Sequence, residues 1–274
     1  AHALKLAATM TKELRESEQR WAFALEGAGD GVWDWNLQTR VAITSRRWNQ
    51  IIGCEDDGFT RTIDDWESRI APDDKTEVMA AIQTCLSSPP GSHATCVAEH
   101  RLRCYDDSWK WILFRGMIIE WDAANRPLRI IGTISDISER KATDERLRHM
   151  AQHDALTNLP NRALFSDRLQ QELATAKRNS ERFALIFLDL DKFKPVNDTY
   201  GHASGEEALC QLASIARSTL RDIAIFGRIG GEEFAALLCS VDSKQAADIG
   251  NRLREAMSAQ TITHEANQFR ITLS

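Results

Sequence analysis

Gly230-Gly231-Glu232-Glu233-Phe234 sits between two apolar runs, Ile223-Ala224-Ile225-Phe226 and Phe234-Ala235-Ala236-Leu237-Leu238. The pattern predicts a β-hairpin with an acidic tip. Two adjacent glycines allow positive φ at both central positions of a tight turn. Upstream, the apolar run Phe183-Ala184-Leu185-Ile186-Phe187-Leu188 ends in Asp189-Leu190-Asp191. A carboxylate at a strand end beside carboxylates at a hairpin tip is the set that a divalent-metal site for a nucleotide requires.

The 274 residues suffice for two domains, each with its own core. All eight tryptophans (Trp21, Trp33, Trp35, Trp48, Trp66, Trp109, Trp111 and Trp121) fall in the first half, so two different cores are expected. A net charge of −6 argues against general nucleic-acid binding, and no nucleic-acid partner is expected. The six cysteines form no CxxC pair, which favours free thiols in a reducing, cytoplasmic setting. The chain begins at Ala1 and stops in the strand-like run Ile271-Thr272-Leu273-Ser274. A piece of a longer polypeptide is expected, with any membrane attachment through a segment outside this chain.

Residues 3–27 read as a helix with an approximate heptad seam of Leu4, Ala8, Thr11, Leu14, Trp21 and Leu25, broken at Glu18. A hairpin at 31–44, short helices at 45–52 and 62–69, a longer one to about Leu86, and strands at 94–104, 108–121 and 127–136 follow. This order predicts a five-stranded antiparallel sheet with helices over one face. It resembles a PAS domain, on the strings GVWDWN (31–36), WESRIAPDD (66–74), EHRLRCYDDSWKWILFRG (99–116) and GTISDISERK (132–141). Asp107 stands where the family has a turn glycine, a position asparate also suits. Asp136-Ile137-Ser138 matches the tripeptide that leads into an outgoing helix. No residue selects a sensor ligand. Trp33, Trp35, Trp109 and Trp111 line a core or a small-ligand pocket, with the core the favoured reading. His93 and His100 read as ordinary strand residues.

The charged stretch 137–152 reads as a solvated spacer helix by itself; beside its neighbours it reads as a dimeric coil with Ile137, Leu147 and Met150 on the seam. The second domain is expected to run helix (to about Arg178), strand (182–189), loop, helix (204–220), hairpin (223–239), helix (242–258) and a last strand from 268, in a mixed sheet with helices outside.

Four strings in order, DALTNLPNR (154–162), FLDLDKFKPVNDTYGH (187–202), ASGEEAL (203–209) and RIGGEEF (228–234), make this half resemble the GGDEF family of diguanylate cyclases. The fold expectation is therefore α+β: an N-terminal signalling helix (1–26), a PAS sensor (27–136), a helical linker (137–153) and a palm-like α/β GGDEF domain (154–274) that stops before the family's final strand and helix. The resemblance implies condensation of two GTP into cyclic di-GMP and pyrophosphate with Mg2+ or Mn2+. It assigns Asp189, Glu232 and the Leu190 carbonyl to metal, with Asp189 and Glu232 catalytic. Phe193 and Lys194 fall to the triphosphate, and Asn197 and Glu206 to guanine. Glu233 and Arg228 are supporting. The competing readings are a lysine-paired strand-end carboxylate for Asp189, surface solvation for Lys194 and a turn-stabilising amide for Asn197. Glu206 departs from the family's aspartate, keeping the charge with one more methylene. The family's Arg-x-x-Asp inhibitory site is reduced to Arg221 with Ala224 in the acidic position, which implies weak feedback inhibition. One GTP per domain implies a homodimer through the PAS domain and linker. The alternative is a degenerate GTP-binding domain that regulates an adjacent phosphodiesterase or other output domain; a third is a PAS dimerisation unit.

Overall fold

The computed structural model describes residues 27, 29–54, 61–92, 94–179, 181–220, 224–265 and 267–274. The expected helix and seam over residues 1–26, and His93, lie outside them. The chain divides into two compact units at Asp144/Glu145.

The first unit is built on strands β1 (Gly31–Asn36), β2 (Val41–Thr44), β3 (Arg61–Thr62), β4 (Thr95–Arg103), β5 (Trp109–Trp121) and β6 (Pro127–Asp136). They form one antiparallel sheet in the order β3-β2-β1-β6-β5-β4. The expected five strands are present; the sixth is the two-residue edge strand β3, too short to leave a period-2 signal. Helices α1 (Arg46–Ile51), α2 (Ile63–Arg69) and α3 (Pro72–Leu86) are the three anticipated. Ser45 and Thr62 cap the first two by accepting from Trp48 N and Asp65 N, and Pro72 starts the third. Asp107 has φ +62°, as its turn position requires.

Packing centres on Trp33, stacked on Phe114 at 4.7 Å and tilted against Trp35 at 4.4 Å. Room for this indole comes from Gly116 and Gly132, directly paired across β5 and β6. A Cβ at Gly132 would lie 2.4 Å from Trp33 Cζ2, and one at Gly116 2.6 Å from Trp33 Cη2. Trp109 and Trp111 share no pocket with Trp33 and Trp35. Strand alternation sends them to the other face, where Trp109 is exposed and Trp111 half-buried. A separate cavity of about 210 Å³ is lined by Trp35, Ile63, Trp66, Met79, Ile82 and Ile130, among others.

At the end of the sheet, Asp136 Oδ1 accepts from Ser138 N at 3.0 Å, and Ser138 Oγ accepts from Trp111 N at 3.0 Å. These bonds end β6 and start helix α4 (Ser138–Gln152). Glu99 receives both Arg140 and Lys141 at 2.6 Å, fixing the first turn of α4. Of the proposed seam residues, Ile137 is buried in the first unit, whereas Leu147 and Met150 are exposed.

The second unit contains α5 (Arg162–Asn179), β7 (Phe183–Asp189), α6 (Phe193–Tyr200), α7 (His202–Leu220), β8 (Ala224–Arg228), β9 (Glu233–Cys239), α8 (Ser243–Ala259) and the hairpin β10 (Ile262–His264)–β11 (Asn267–Phe269). The sheet order is β7-β9-β8, with both pairings antiparallel. A mixed sheet was expected; β7 and β8 do run in the same direction, but β9 lies between them. Central β9 is buried on both faces from Phe234 to Leu238. The loop expected after β7 contains α6, and the strand expected from 268 is β11, which ends at Phe269 and pairs with the unforeseen β10. Beyond it, Asp189 and Ser274 exchange both backbone hydrogen bonds, at 3.0 and 3.1 Å. Among the described residues no helix is long and apolar enough to cross a membrane.

His100 is fully buried, edge-on to Trp66 at 5.6 Å, and neither ring nitrogen has a hydrogen-bond partner among the described residues. Burial pushes its pKa down to about 4, with Asp74 opposing. The folded value lies below the unfolded value of about 6.5, so the unfolded state takes up the proton first as pH falls. Stability is complete above pH about 6.5 and lost between there and pH about 4, by about 3 kcal/mol in all. Tryptophan fluorescence reports this unit selectively. Denaturation followed by it is expected to show that slope in the wild type and a flattened one in His100→Leu; equal slopes would refute the assignment.

Candidate functional site

The β7–β9 register pairs Asp189 with Glu233 and Leu188 with Phe234. Leu190 N donates to Glu232 O at 3.4 Å. Asp189 therefore ends its strand beside the acidic tip. Asp189 and Glu233 are exposed and Glu232 is half-buried. Neither Asp189 nor Glu232 has a side-chain hydrogen bond or ion pair among the described residues, so the lysine-paired reading of Asp189 fails.

The tip is built differently from the expected turn. Neither Gly230 nor Gly231 has positive φ. Four residues, 229–232, join the strands, and Ile229 N and Gly230 N both donate to Glu233 O, at 2.9 and 3.2 Å. Gly230 serves close approach: a Cβ there would lie 2.2 Å from Glu233 Oε2. Arg228 holds the tip from within. Its Nε and Nη2 donate to Gly231 O at 3.0 and 2.6 Å, and its Nη1 to Asp154 Oδ1 at 2.9 Å. The acid that Arg228 pairs with is Asp154, outside the tip.

Asp154 is a residue to which sequence reasoning gave no role. Its carboxylate also accepts from Thr157 N and Oγ1 at 2.8 and 2.7 Å. Arg217 Nη2 donates to Thr157 O at 2.7 Å, and Pro160 O accepts from Arg228 N at 3.0 Å. The 154–162 string is thus a brace for the hairpin; Asp and Thr three apart were the available signal. Asp191 is the other omission. Its carboxylate accepts from Thr272 Oγ1 at 2.5 Å, and that bond and one from Ser274 hold its pKa below the usual range.

Lys194 and Asn197 lie on α6, not in a loop. Lys192 enters this helix with φ +56° and no side chain caps its first turn, so the amides of Phe193 and Lys194 stand where a helix start favours an anion. Phe193 is half-buried and Lys194 exposed. Asn197 is half-buried; its Oδ1 is buried with no partner among the described residues. Gly205 of α7 permits this: a Cβ there would lie 1.9 Å from that oxygen. The side chain stabilises no turn, which removes the competing reading. An unmet buried acceptor costs about 1–3 kcal/mol. Glu206 follows Gly205 and is exposed. Arg221 lies outside the described residues, and Ala224 opens β8.

No group of three or more His, Cys, Asp or Glu side chains able to hold a metal occurs among the described residues. Two carboxylates and a backbone carbonyl fit a hard cation such as Mg2+, which takes one or two protein carboxylates and completes its shell with phosphate and water.

Residues 151–274 match the family model described as "Diguanylate cyclase, GGDEF domain", and residues 41–134 match the PAS fold. The probable diguanylate cyclase DgcE of Escherichia coli (strain K12) is 39% identical over 141 residues, 52% of this chain and 13% of that protein. Diguanylate cyclase TpbB of Pseudomonas aeruginosa (strain UCBPP-PA14) is 42% identical over 114 residues, 41% of this chain and 26% of that protein. Diguanylate cyclase DgcM of Escherichia coli (strain K12) is 37% identical over 182 residues, 65% of this chain and 42% of that protein. The chain spans less than half the length of each of these relatives.

Burial raises the pKa of Asp154, but the Thr157 bonds and the Arg228 pair outweigh it and hold the carboxyl below its usual range. Its contribution is present above the unfolded value of about 3.9 and is lost as pH falls through the folded one. Asp154→Asn is expected to cost about 2 kcal/mol at pH 7. Amide exchange of β9 reads this locally, and the gap between variant and wild type should close in acid. A gap that persists unchanged at pH 3 would contradict the assignment.

Proposed function

We propose, for a chain that carries a PAS fold followed by a GGDEF domain, that it is a cytoplasmic diguanylate cyclase module that joins two GTP into cyclic di-GMP and is regulated through its PAS half. The observation that carries this is the pair of uncompensated carboxylates, Asp189 at the end of β7 and Glu232 in the loop that leads into β9, with the uncapped start of α6 four residues after Asp189.

In this mechanism Asp189, Glu232 and the Leu190 carbonyl would hold Mg2+ or Mn2+. Bound there, the metal supplies charge neutralisation on the phosphate oxygens. The Phe193 and Lys194 amides and the Lys194 ammonium orient the β- and γ-phosphates. Asn197 Oδ1 accepts from a guanine N–H, and Glu206 accepts from the same edge. Arg228, through Gly231 O, and Glu233 keep the tip in place. The 3′-oxygen of one GTP forms a bond to the α-phosphorus of the other as the bond from that phosphorus to the bridging α–β oxygen breaks and pyrophosphate leaves; the reciprocal attack of the second 3′-oxygen on the first α-phosphorus closes the ring and releases a second pyrophosphate. Glu232 lowers the barrier to loss of the 3′-OH proton.

Each domain holds one GTP, so two copies must face each other, joined through the PAS half and α4. The exposed Leu147 and Met150 support a seam on that helix. The second reading, a GTP-binding regulator of an adjacent output domain, draws on Glu206, which stands one methylene longer where the family has aspartate. A regulator binds GTP without turnover.

Incubation with GTP and Mg2+ should yield cyclic di-GMP on chromatography, with Glu232→Gln lowering the rate about 100-fold or more; an unchanged rate in the variant refutes the mechanism. Asn197→Ala should reduce the preference for GTP over ATP about tenfold in competition binding. Equal affinity of the wild type for the two nucleotides would exclude guanine recognition.

A further inference from the structure

On β1, β5 and β6 the residues that alternate with buried Trp33, Phe114 and Ile130 point to the sheet face opposite the core. There Val32, Met117 and Ile131 wall a groove of about 320 Å³, with Gly116 and Gly132 as its floor and Arg115 in its lining. Two rungs of the sheet frame it, Val32–Thr133–Arg115 and Ile131–Met117. Val97, which faces Arg115 from β4, is 51% exposed. An apolar surface left open in this way marks a contact site. Arg115 is exposed and makes no side-chain hydrogen bond or ion pair among the described residues, and no acidic side chain lines the groove. The surface is thus apolar with one unmatched positive charge.

Residues 14–25 carry the complement of that surface. In the helix that the sequence predicts there, Leu14, Glu18, Trp21 and Leu25 share one face, at spacings of four, three and four. Glu18 breaks this seam for a coil between like helices. An apolar face with a single carboxylate suits an apolar groove with a single guanidinium. The chain also arrives at the groove. Gly29 turns at φ +74°, Asp30 Oδ1 accepts from Ser135 Oγ on β6, and Val32 of the groove follows two residues later. The seven steps from Leu25 to Val32 reach up to about 25 Å, enough to fold back over β6. We propose that residues 14–25 dock as a helix on this groove of their own chain, with the apolar seam in the groove and Glu18 paired with Arg115. A second copy packed two-fold on the same face would set Arg115 against Arg115, so the charge favours the chain's own segment. The docked segment covers β5 and β6, and these strands deliver Trp111 and Asp136 to the Ser138 start of α4. The segment that enters the first unit and the helix that leaves it therefore share one pair of strands. The inference goes beyond the cyclase reading and stands without it.

The test uses the full chain with a photo-reactive benzophenone amino acid in place of Thr95, an exposed residue of the groove. An equal mixture of 14N and 15N chains is irradiated, and the cross-linked peptides are read by mass spectrometry. The product should join position 95 to residues 14–25 of the same chain. Glu18→Lys and Arg115→Glu should each lower its yield about fivefold, and the double variant should restore it. Should the probe at Thr95 prevent folding by circular dichroism, the same probe at exposed Val97 decides. Cross-links between 14N and 15N chains, cross-links to other segments or none, or a yield indifferent to charge reversal would overturn the proposal. None of these readouts depends on cyclase activity.

Discussion

The register of β7 against β9 is the constraint on which the second unit depends. β9 is buried on both faces from Phe234 to Leu238, so its side chains lock into two packed layers, one with Leu212, Ala216 and Leu253 and the other with Phe165. A slip of one residue would turn every β7 side chain to the opposite face. The apolar strand interior therefore fixes a polar fact at its end: Asp189 faces Glu233 and Leu190 donates to Glu232 O. Burial of a few aliphatic side chains holds carboxylates side by side that would otherwise repel.

That repulsion is held by a brace rather than by counter-charge. Arg228 spends its guanidinium on Gly231 O and Asp154, not on the tip carboxylates. Asp154 in turn is tied by Thr157, and Thr157 O by Arg217. The tip is braced while its carboxylates stay without counter-charge, which suits a site that completes itself with a cation and a phosphate. Asn197 follows the same logic with a neutral group: a buried carbonyl oxygen over Gly205, held short of a donor. Both features cost folding stability, and the aliphatic core offsets that cost.

Most of the architecture was legible in the sequence because it rests on periodicity. Alternation gave β1, β4, β5 and β6, and the acid-tipped apolar runs gave β7 and β9. What escaped depends on contacts between segments distant in sequence. Gly230-Gly231 suggested a turn with positive φ, but the Arg228 fork and a four-residue loop leave φ ordinary and give Gly230 the task of admitting the Glu233 side chain. Helix α6 was hidden because Lys194 read as a loop residue and Asn197 as a turn residue; Lys192 in the left-handed region starts it without a capping side chain. β3 is two residues long, below any period. Asp154 could be quoted from its motif, yet its partner Arg228 is 74 residues away. The stacking of His149 on His153 depends on ring rotamers, which no spacing encodes.

The proposed cation site at the tip draws its oxygen donors from the end of β7 and from the loop that leads into β9. Mg2+ takes one or two protein carboxylates and fills the rest of its shell with phosphate oxygens and water, so two carboxylates and a carbonyl hold a hard ion only with phosphate present. Occupancy of such a site follows the nucleotide. The brace through Arg228 and Asp154 is formed without it, so the tip keeps its backbone geometry whether or not a cation is bound.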